Sequence, residues 1–510
     1  MTGTPSTPSG APGTPLGTPA APGPARSAGA AAVTIVTALA EFAADARAGL
    51  PAPVMDDVTG RVLDMFGNGL AALELTGHDE PHEAVRRLAG RWGGAGESSV
   101  LGHPLALPAP SAALVNGTLA HALDFDDTHL PSVLHPSASV VPAALAVAES
   151  ARTTGAALCQ AIAVGNEITN RLGMASYLPE LRNSLFFEKG WHATSICGTV
   201  GAAAASALLM NLDAGGIAAA MGIAASMGAG VIEANRTGGT VKRVHCGWAA
   251  HAGVVAAMMA AEGVTGPPTV FEGRFGFFQA FLDGRYDAAA ITDGLGERWE
   301  LLRTVYKPYP SNHFTHPGID AALALRAQGL RADDVAEIEL GVAAAPLRTI
   351  GEPYEEKVRP RTPYHAKFSG PYTVASALVG GGGLGLHLDD FTEAAFRDEK
   401  RLALAARVRV GADEVCTEEF PLAFSAVLRV RTKDGRRLEH RVHSSRGGPE
   451  HPLSMDELEE KYRLNASRVL PPEAVAALAR QVRGLAARDD VTGLLQPALV
   501  ATRPPSPTPG

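Results

Sequence analysis

The stretch "PAALAVAESARTTGAALCQAIAVGNEITNRLG" (142–173) decides the fold class. Its apolar residues recur at three and four, as a helix with a buried face requires, and glycine and proline punctuate the ends. The same texture runs toward the N-terminus through "SAALVNGTLAHALDF" (111–125) and "AVTIVTALAEFAADA" (32–46). Toward the C-terminus it continues in "GWAAHAGVVAAMMAAEG" (247–263) and then changes beyond about residue 302. "VAEIELGVAA" (335–344), "ARVRVGAD" (406–413) and "AVLRVRTKDGRRLEHRVHS" (426–444) alternate with the period of strands, and "KDG" between two such runs signals a hairpin. "SMDELEEKYRLNASRVLPPEAVAALARQVRGLAA" (454–487) returns to helix, with Ser454 as N-cap and Glu457 three residues on.

These patterns predict a mainly α protein. A large all-helical domain covers 32–303, a smaller α+β lid domain covers 304–448, and 449–496 returns as helix to the first domain. Residues 1–31 and 497–510 are rich in proline, with glycine, serine and threonine, and read as disordered tails, because they hold too little apolar surface to offset the entropy of ordering.

The chain of 510 residues is 46% hydrophobic and 19% charged, ample for a large core. Alanine and glycine dominate while aromatics supply 5%, so the helices are expected to approach closely. A net charge of −9 argues against a nucleic-acid partner bound through a general positive field. Cys159, Cys197, Cys246 and Cys416 form no CxxC pair, so neither a zinc site nor a disulfide framework is expected, and a reducing cytoplasm fits. No secretory signal is expected either. Two uncharged stretches, 195–212 and 214–232, approach membrane-spanning length, but only Asp213 separates them. They read as buried core helices, and no membrane association is expected.

Ionisable groups concentrate in five segments. "DFDDTHLPSVLHP" (124–136) packs three aspartates, a threonine and two histidines between helical runs. If the first helix persists, Asp124 and Thr128 share one face, and His135 stands ahead of the next helix N-terminus, a natural seat for an anion. Two other readings stand beside that one: solvated turn aspartates with His135 as a cap, or a metal site from Asp124, Asp126, Asp127 and His129. "KGWHATSICG" places His192 at the mouth of an alanine-rich helix, and "VKRVHCG" offers Lys242, Arg243 and His245 after two glycines. "VYKPYPSNHFTHPGIDAAL" carries Lys307, His313 and His316 at the proposed domain boundary, and "YEEKVRPRTPYHAKFSGPY" carries Tyr354, His365 and Lys367. No GxGxxG after a strand, GxxxxGK[ST], GxSxG or HExxH is present, so nucleotide, phosphate-loop, serine-hydrolase and zinc-protease chemistry lack support. Acid, base and cation groups of this kind suit proton transfer next to a carboxylate, which can run without a cofactor.

Five blocks in this order resemble the MmgE/PrpD family, which includes 2-methylcitrate dehydratase and cis-aconitate decarboxylase. They are "NGTLAHALDFDDTHLPSVLHPSASVVPAALAVAE", "GWHATSICGTVGAAAA", "VKRVHCGWAAHAGVVAAMMAAEGVTGP", "KPYPSNHFTHPGIDA" and "AKFSGPYTVASAL", and the resemblance spans about 33–490. It implies a helical domain with an α+β lid, a homodimer, a small carboxylic-acid substrate, and no metal or organic cofactor. It implies Asp124, Thr128, His135, His192 and Lys242 as catalytic residues, with Lys307, Tyr354 and His313 (Asn312 being the other position open to that histidine) binding substrate. Arg243 and His245, read from the residues alone, are expected to bind substrate beside them. The third block reads "KRVHCGWAAHAG" where enteric-type dehydratases carry a "KGWAAGDA"-like version, which leans toward the decarboxylase-containing branch, home also to epimerases. The expected reaction is lyase chemistry on a di- or tricarboxylic acid: lysines hold carboxylates, His135 or His192 exchanges a proton at the alpha carbon, and water or CO2 leaves. An epimerase using the same groups, and a non-catalytic binder of the same fold, are the alternatives.

Overall fold

Helices form over most of the runs with three-and-four spacing, and the computed structural model describes residues 33–75, 80–181, 183–234 and 239–500. The first half builds α1 (Ile35–Asp45), α2 (Ala52–Ala72), α3 (Pro81–Trp92), α4 (Ala109–His121), α5 (Ser137–Ala151) and α6 (Gly155–Met174). It continues with α7 (Ala193–Leu209), α8 (Ala214–Ala225) and α9 (His245–Ala261). Every residue of α7 is buried, and α4, α5, α6 and α9 pack around it or against one another. Glycine sets how closely they meet. A Cβ on Gly117 of α4 would lie 2.8 Å from the Gly247 Cα of α9, and one on Gly201 of α7 would lie 2.3 Å from the Gly165 carbonyl of α6. Either methyl would force the helices apart.

The second half adds α10 (His316–Ala327) and α11 (Gly370–Val379), packed against a sheet of β1 (Val335–Val342), β2 (Val408–Ala412), β3 (Ala426–Thr432) and β4 (Arg437–Val442). The strand order is β4-β3-β1-β2, with β1 parallel to β2 and antiparallel to β3. The expected hairpin joins β3 to β4, and Gly435 takes the left-handed turn position at φ 90°. This half has its own core, which includes Ile338, Leu340, Leu428 and Tyr372. The chain then returns through α12 (Met455–Ala466) and α13 (Pro472–Arg483), whose Tyr462, Leu478 and Val482 join the first helical core. Ser454 and Glu457 form the reciprocal capping box that their spacing predicts.

The 195–212 stretch forms the buried α7, and α8 at 12 residues is too short to cross a bilayer. A third segment, Val241–Ala261, is long and apolar enough to do so by length and composition, and 56% of its apolar window is buried. The expected N-terminal tail, 1–31, lies outside the described residues. At the other end the tail does not begin at 497: Ala498 is fully buried and the Val500 N–H donates to the Gly102 carbonyl at 3.1 Å.

Candidate active site

The seam between α4 and α5 is not a continued helix. α4 stops at His121, and Asp124 takes a left-handed conformation at φ 54°, so Asp124 and Thr128 do not share a helix face. Thr128 and His129 instead form a short antiparallel pair with Val305 and Thr304, which draws the seam onto the start of the second half.

Each seam aspartate has its own cation. Lys307 Nζ donates to Asp124 Oδ1 at 3.0 Å and to the Asp124 carbonyl at 2.9 Å, with Lys242 Nζ 3.9 Å from the other carboxylate oxygen. His121 Nδ1 donates to Asp126 Oδ2 at 2.8 Å. Arg61 Nη1 donates to Asp127 Oδ2 at 3.0 Å, also binds Asp57 and the Thr304 carbonyl, and lies over the Tyr306 ring. Asp126 and Asp127 are fully buried and Asp124 is 8% exposed, so they are not solvated turn residues. Nor do Asp124, Asp126, Asp127 and His129 converge on one point, because His129 faces Glu300 at 3.5 Å. A buried carboxylate without a partner would cost several kcal/mol, roughly the 3–5 of a broken buried pair. The separate pairings offset part of that cost, least at Asp127, which burial still raises to about 6 against Arg61.

Asp124, Thr128 and His135 line a cavity of about 530 Å³ together with His192, Lys242, Lys307 and His313. Arg348, Lys357, Tyr364 and His365 also line it, and Phe187, Phe314, Phe368 and Phe424 supply apolar surface. His135 is oriented by its surroundings. Its Nδ1 lies 2.6 Å from the Asp127 carbonyl and 3.3 Å from Thr128 Oγ1, and its backbone N–H donates to Thr194 Oγ1 at 3.1 Å. A carbonyl only accepts, so Nδ1 carries the hydrogen and Nε2 keeps its lone pair. Burial, with Lys307 adding and Asp126 opposing, pushes the imidazole down to about 3. His192 shares a 2.9 Å Nδ1 to Nδ1 hydrogen bond with His245, and burial and Lys242 hold it well below the usual histidine range. His313 stacks on His316 and is lowered by burial and by that neighbour.

The charges complete the picture. Against burial, Lys242 and Lys307 keep Asp124 well below the usual carboxylate range, and Asp124 in turn raises Lys242. Neutral imidazoles, two ammonium groups and one carboxylate leave the inner wall net positive. Such a wall suits a ligand carrying several carboxylates and can stabilise charge that develops beside them.

The MmgE/PrpD N-terminal domain matches residues 37–289, and the MmgE/PrpD C-terminal domain matches residues 309–486. The chain belongs to the MmgE/PrpD family. Human cis-aconitate decarboxylase is 30% identical over 406 residues, covering 78% of this chain and 81% of that protein. The cis-aconitate decarboxylase-like protein oryM of Aspergillus oryzae is 27% identical over 464 residues, covering 87% and 94%. A cis-aconitate decarboxylase of Aspergillus terreus is 27% identical over 418 residues, covering 79% and 83%.

Of the expected site residues, Asp124, Thr128, His135, His192, Lys242, Lys307 and His313 meet at the cavity. Three others do not line it. Tyr354 opens a short helix, Tyr354–Val358, and donates its hydroxyl to the Ala406 carbonyl at 2.8 Å, with Arg409 over its ring. That contact points it away, and Tyr364, ten residues on in the same block, takes the cavity position. Arg243 is drawn off by Glu80, at 3.0 Å from its carboxylate. His245 is buried behind His192 and reaches the cavity only through it. Sequence reasoning missed Arg348, Tyr364 and the buried His121. Tyr364 had a signal, since it directly precedes the "HAKFSGPY" block. His121 had none beyond an imidazole inside an apolar helix.

Proposed function

We propose that this MmgE/PrpD chain is a lyase acting on a small di- or tricarboxylic acid, with decarboxylation of a cis-aconitate-type substrate as its leading reaction. One observation carries the reading: His135, a neutral imidazole whose Nδ1 is engaged by the Asp127 carbonyl, lines a cavity that also holds Lys242 and Lys307. The relatives named as cis-aconitate decarboxylases support that choice among reactions.

The chemistry balances with these groups. Lys242 and Lys307 bind two carboxylates of the substrate. The bond to a third carboxylate breaks, CO2 leaves, and its electron pair forms a new carbon–carbon double bond. The original double bond opens, and its electrons take a proton at the carbon alpha to a retained carboxylate. Bound carboxylates raise the proton affinity of the nearby imidazole, so His135 can gain a proton from solvent and deliver it. The net reaction consumes one proton and yields a methylene dicarboxylate and CO2. Lysines beside the retained carboxylate stabilise the enolate-like charge that develops on the way.

A second reading uses the same site. Two imidazoles, His135 and His192, line one cavity, which suits removal and return of a proton on opposite faces of one carbon, as an epimerase requires. Proton NMR in D2O with cis-aconitate, 2-methylcitrate, citrate and iminodisuccinate separates the outcomes. Decarboxylation gives methylene signals and CO2, dehydration of the hydroxy acids gives new alkene signals, and epimerisation gives solvent deuterium exchange with no group lost. No change with any of the four acids overturns the proposal.

A further inference from the structure

Behind His135, on the side away from the cavity, His121, Asp126 and Cys246 bring a ring nitrogen, a carboxylate oxygen and a sulfur within 4.8 Å of one another. None of the three lines the cavity, and their exposures are 1, 0 and 0%. The turn at Asp124 folds Asp126 back onto His121, whose Nδ1 it meets at 2.8 Å. The same carboxylate oxygen stands 3.7 Å from His135 Nδ1. The His121 ring lies 5.2 Å from that of His135 and 6.1 Å from that of His192.

One buried carboxylate therefore faces two imidazoles, and only one of them needs to carry the balancing proton. A carboxylate in the dark interior holds a cation beside it wherever one can be formed, because an isolated charge there is costly. Where the proton sits decides what His135 can do. The charged and titratable groups facing His135 are Asp124 and Asp126 from its own segment, His121 from α4, His192 ahead of α7, and Lys307 and His313 from the second half. Asp124 is taken up by the two lysines, and Lys307 disfavours a proton on His135. Asp126 is the group that would draw a proton onto His135, and His121 is the group that stands in the way.

We propose that His121 acts as a charge lock: by carrying the cation that pairs with Asp126, it keeps His135 neutral in the ligand-free enzyme and therefore able to take up a proton at Nε2. His121 is a positioning residue that works through Asp126. The inference rests on the reading of His135 as the proton-transfer group. The proton affinities agree with the geometry: burial opposes it, yet Asp126 and Cys246 raise His121 to about 10, while burial holds His135 at about 3.

The lock predicts a shift and its reversal that a packing role does not. His121→Gln leaves Asp126 with His135 as its nearest base, so the proton affinity of His135 rises. Because the proposed decarboxylation has His135 deliver a proton, the alkaline limb of the kcat profile on cis-aconitate, where His135 has lost that proton, then moves alkaline by roughly two pH units. Adding Asp126→Asn removes the charge that drew the proton, and the limb returns to within about half a unit of wild type. Circular dichroism checks that both variants are folded. An unshifted limb in folded His121→Gln, or a double variant whose limb stays as far shifted as that of the single one, overturns the lock. The full wild-type chain supplies an arm that needs no stable variant and no turnover: ring 15N shifts in ligand-free protein at pH 7, expected to show His121 doubly protonated and His135 protonated on Nδ1 alone. The reverse placement overturns the lock too. Failure to turn over any polycarboxylate sinks the proposed function instead, and leaves this spectrum to decide where the proton sits.

Discussion

The seam at 124–136 and the open face of the four-stranded sheet both crowd charges together, yet they hold them in opposite ways. On the sheet, Arg431 stands directly across from Glu337, and Arg429 stands across from both Glu339 and Glu439. Those side chains are one-third to three-fifths exposed, so water already solvates them. Cross-strand pairs of this kind contribute about 0.2–1 kcal/mol each. In the seam the partners are buried, and losing one leaves a charge with nothing to balance it. Buried pairs are weak sources of stability, since apolar residues of the same volume often serve as well. Their presence beside a cavity of neutral imidazoles and lysines therefore speaks for chemistry, whereas the sheet pairs speak for solubility and register.

The widest gap between the two regions should appear on removing one partner. Arg61→Met leaves Asp127 buried without its cation, and denaturant unfolding should show a loss of about 3–5 kcal/mol. A loss under about 1 kcal/mol would erase the contrast. Arg61→Met with Asp127→Leu should recover much of the loss, since the stranded charge is gone. The next largest effect concerns the two tyrosines of the second half. Tyr364→Phe removes a hydroxyl at the cavity and should lower kcat/KM about tenfold, as loss of one hydrogen bond to a charged ligand does. Tyr354→Phe loses only a contact to the Ala406 carbonyl and should leave kcat/KM unchanged. Equal effects from both would undo the correction made by the structure. The smallest effect belongs to the sheet: Arg431→Gln should change stability by no more than about 1 kcal/mol, with the residual difference shrinking further in high salt.

How far the sequence carried depended on the range of the forces involved. Helices such as α5 and α6, the Ser454–Glu457 capping box and the "KDG" hairpin arise from neighbours a few residues apart, and local spacing announces them. The end of α4 does not. "AHALDFDD" continues an apolar helical pattern, and only pairing of its aspartates with Lys307 and Arg61, 183 and 66 residues away, rewards the left-handed turn at Asp124. Arg243 looked like a ligand group because Glu80, which claims it, lies 163 residues away. The residues meeting at the cavity were legible because their motifs pointed to them one by one. The buried partner behind them, His121, was not, since its neighbours Asp126 and Cys246 meet it only after the turn and α9 are in place.

The central claim is that the seam, with Lys242 across from it, forms the reacting wall of the cavity. Steady-state kinetics of His135→Ala and Lys242→Ala on cis-aconitate, with folding verified, test it most directly. Each variant should lose about 10²–10⁴-fold in kcat/KM, the range for removing a proton-transfer group or a charge-stabilising cation. If both keep full activity on a confirmed substrate, the wall described here is not where the chemistry occurs.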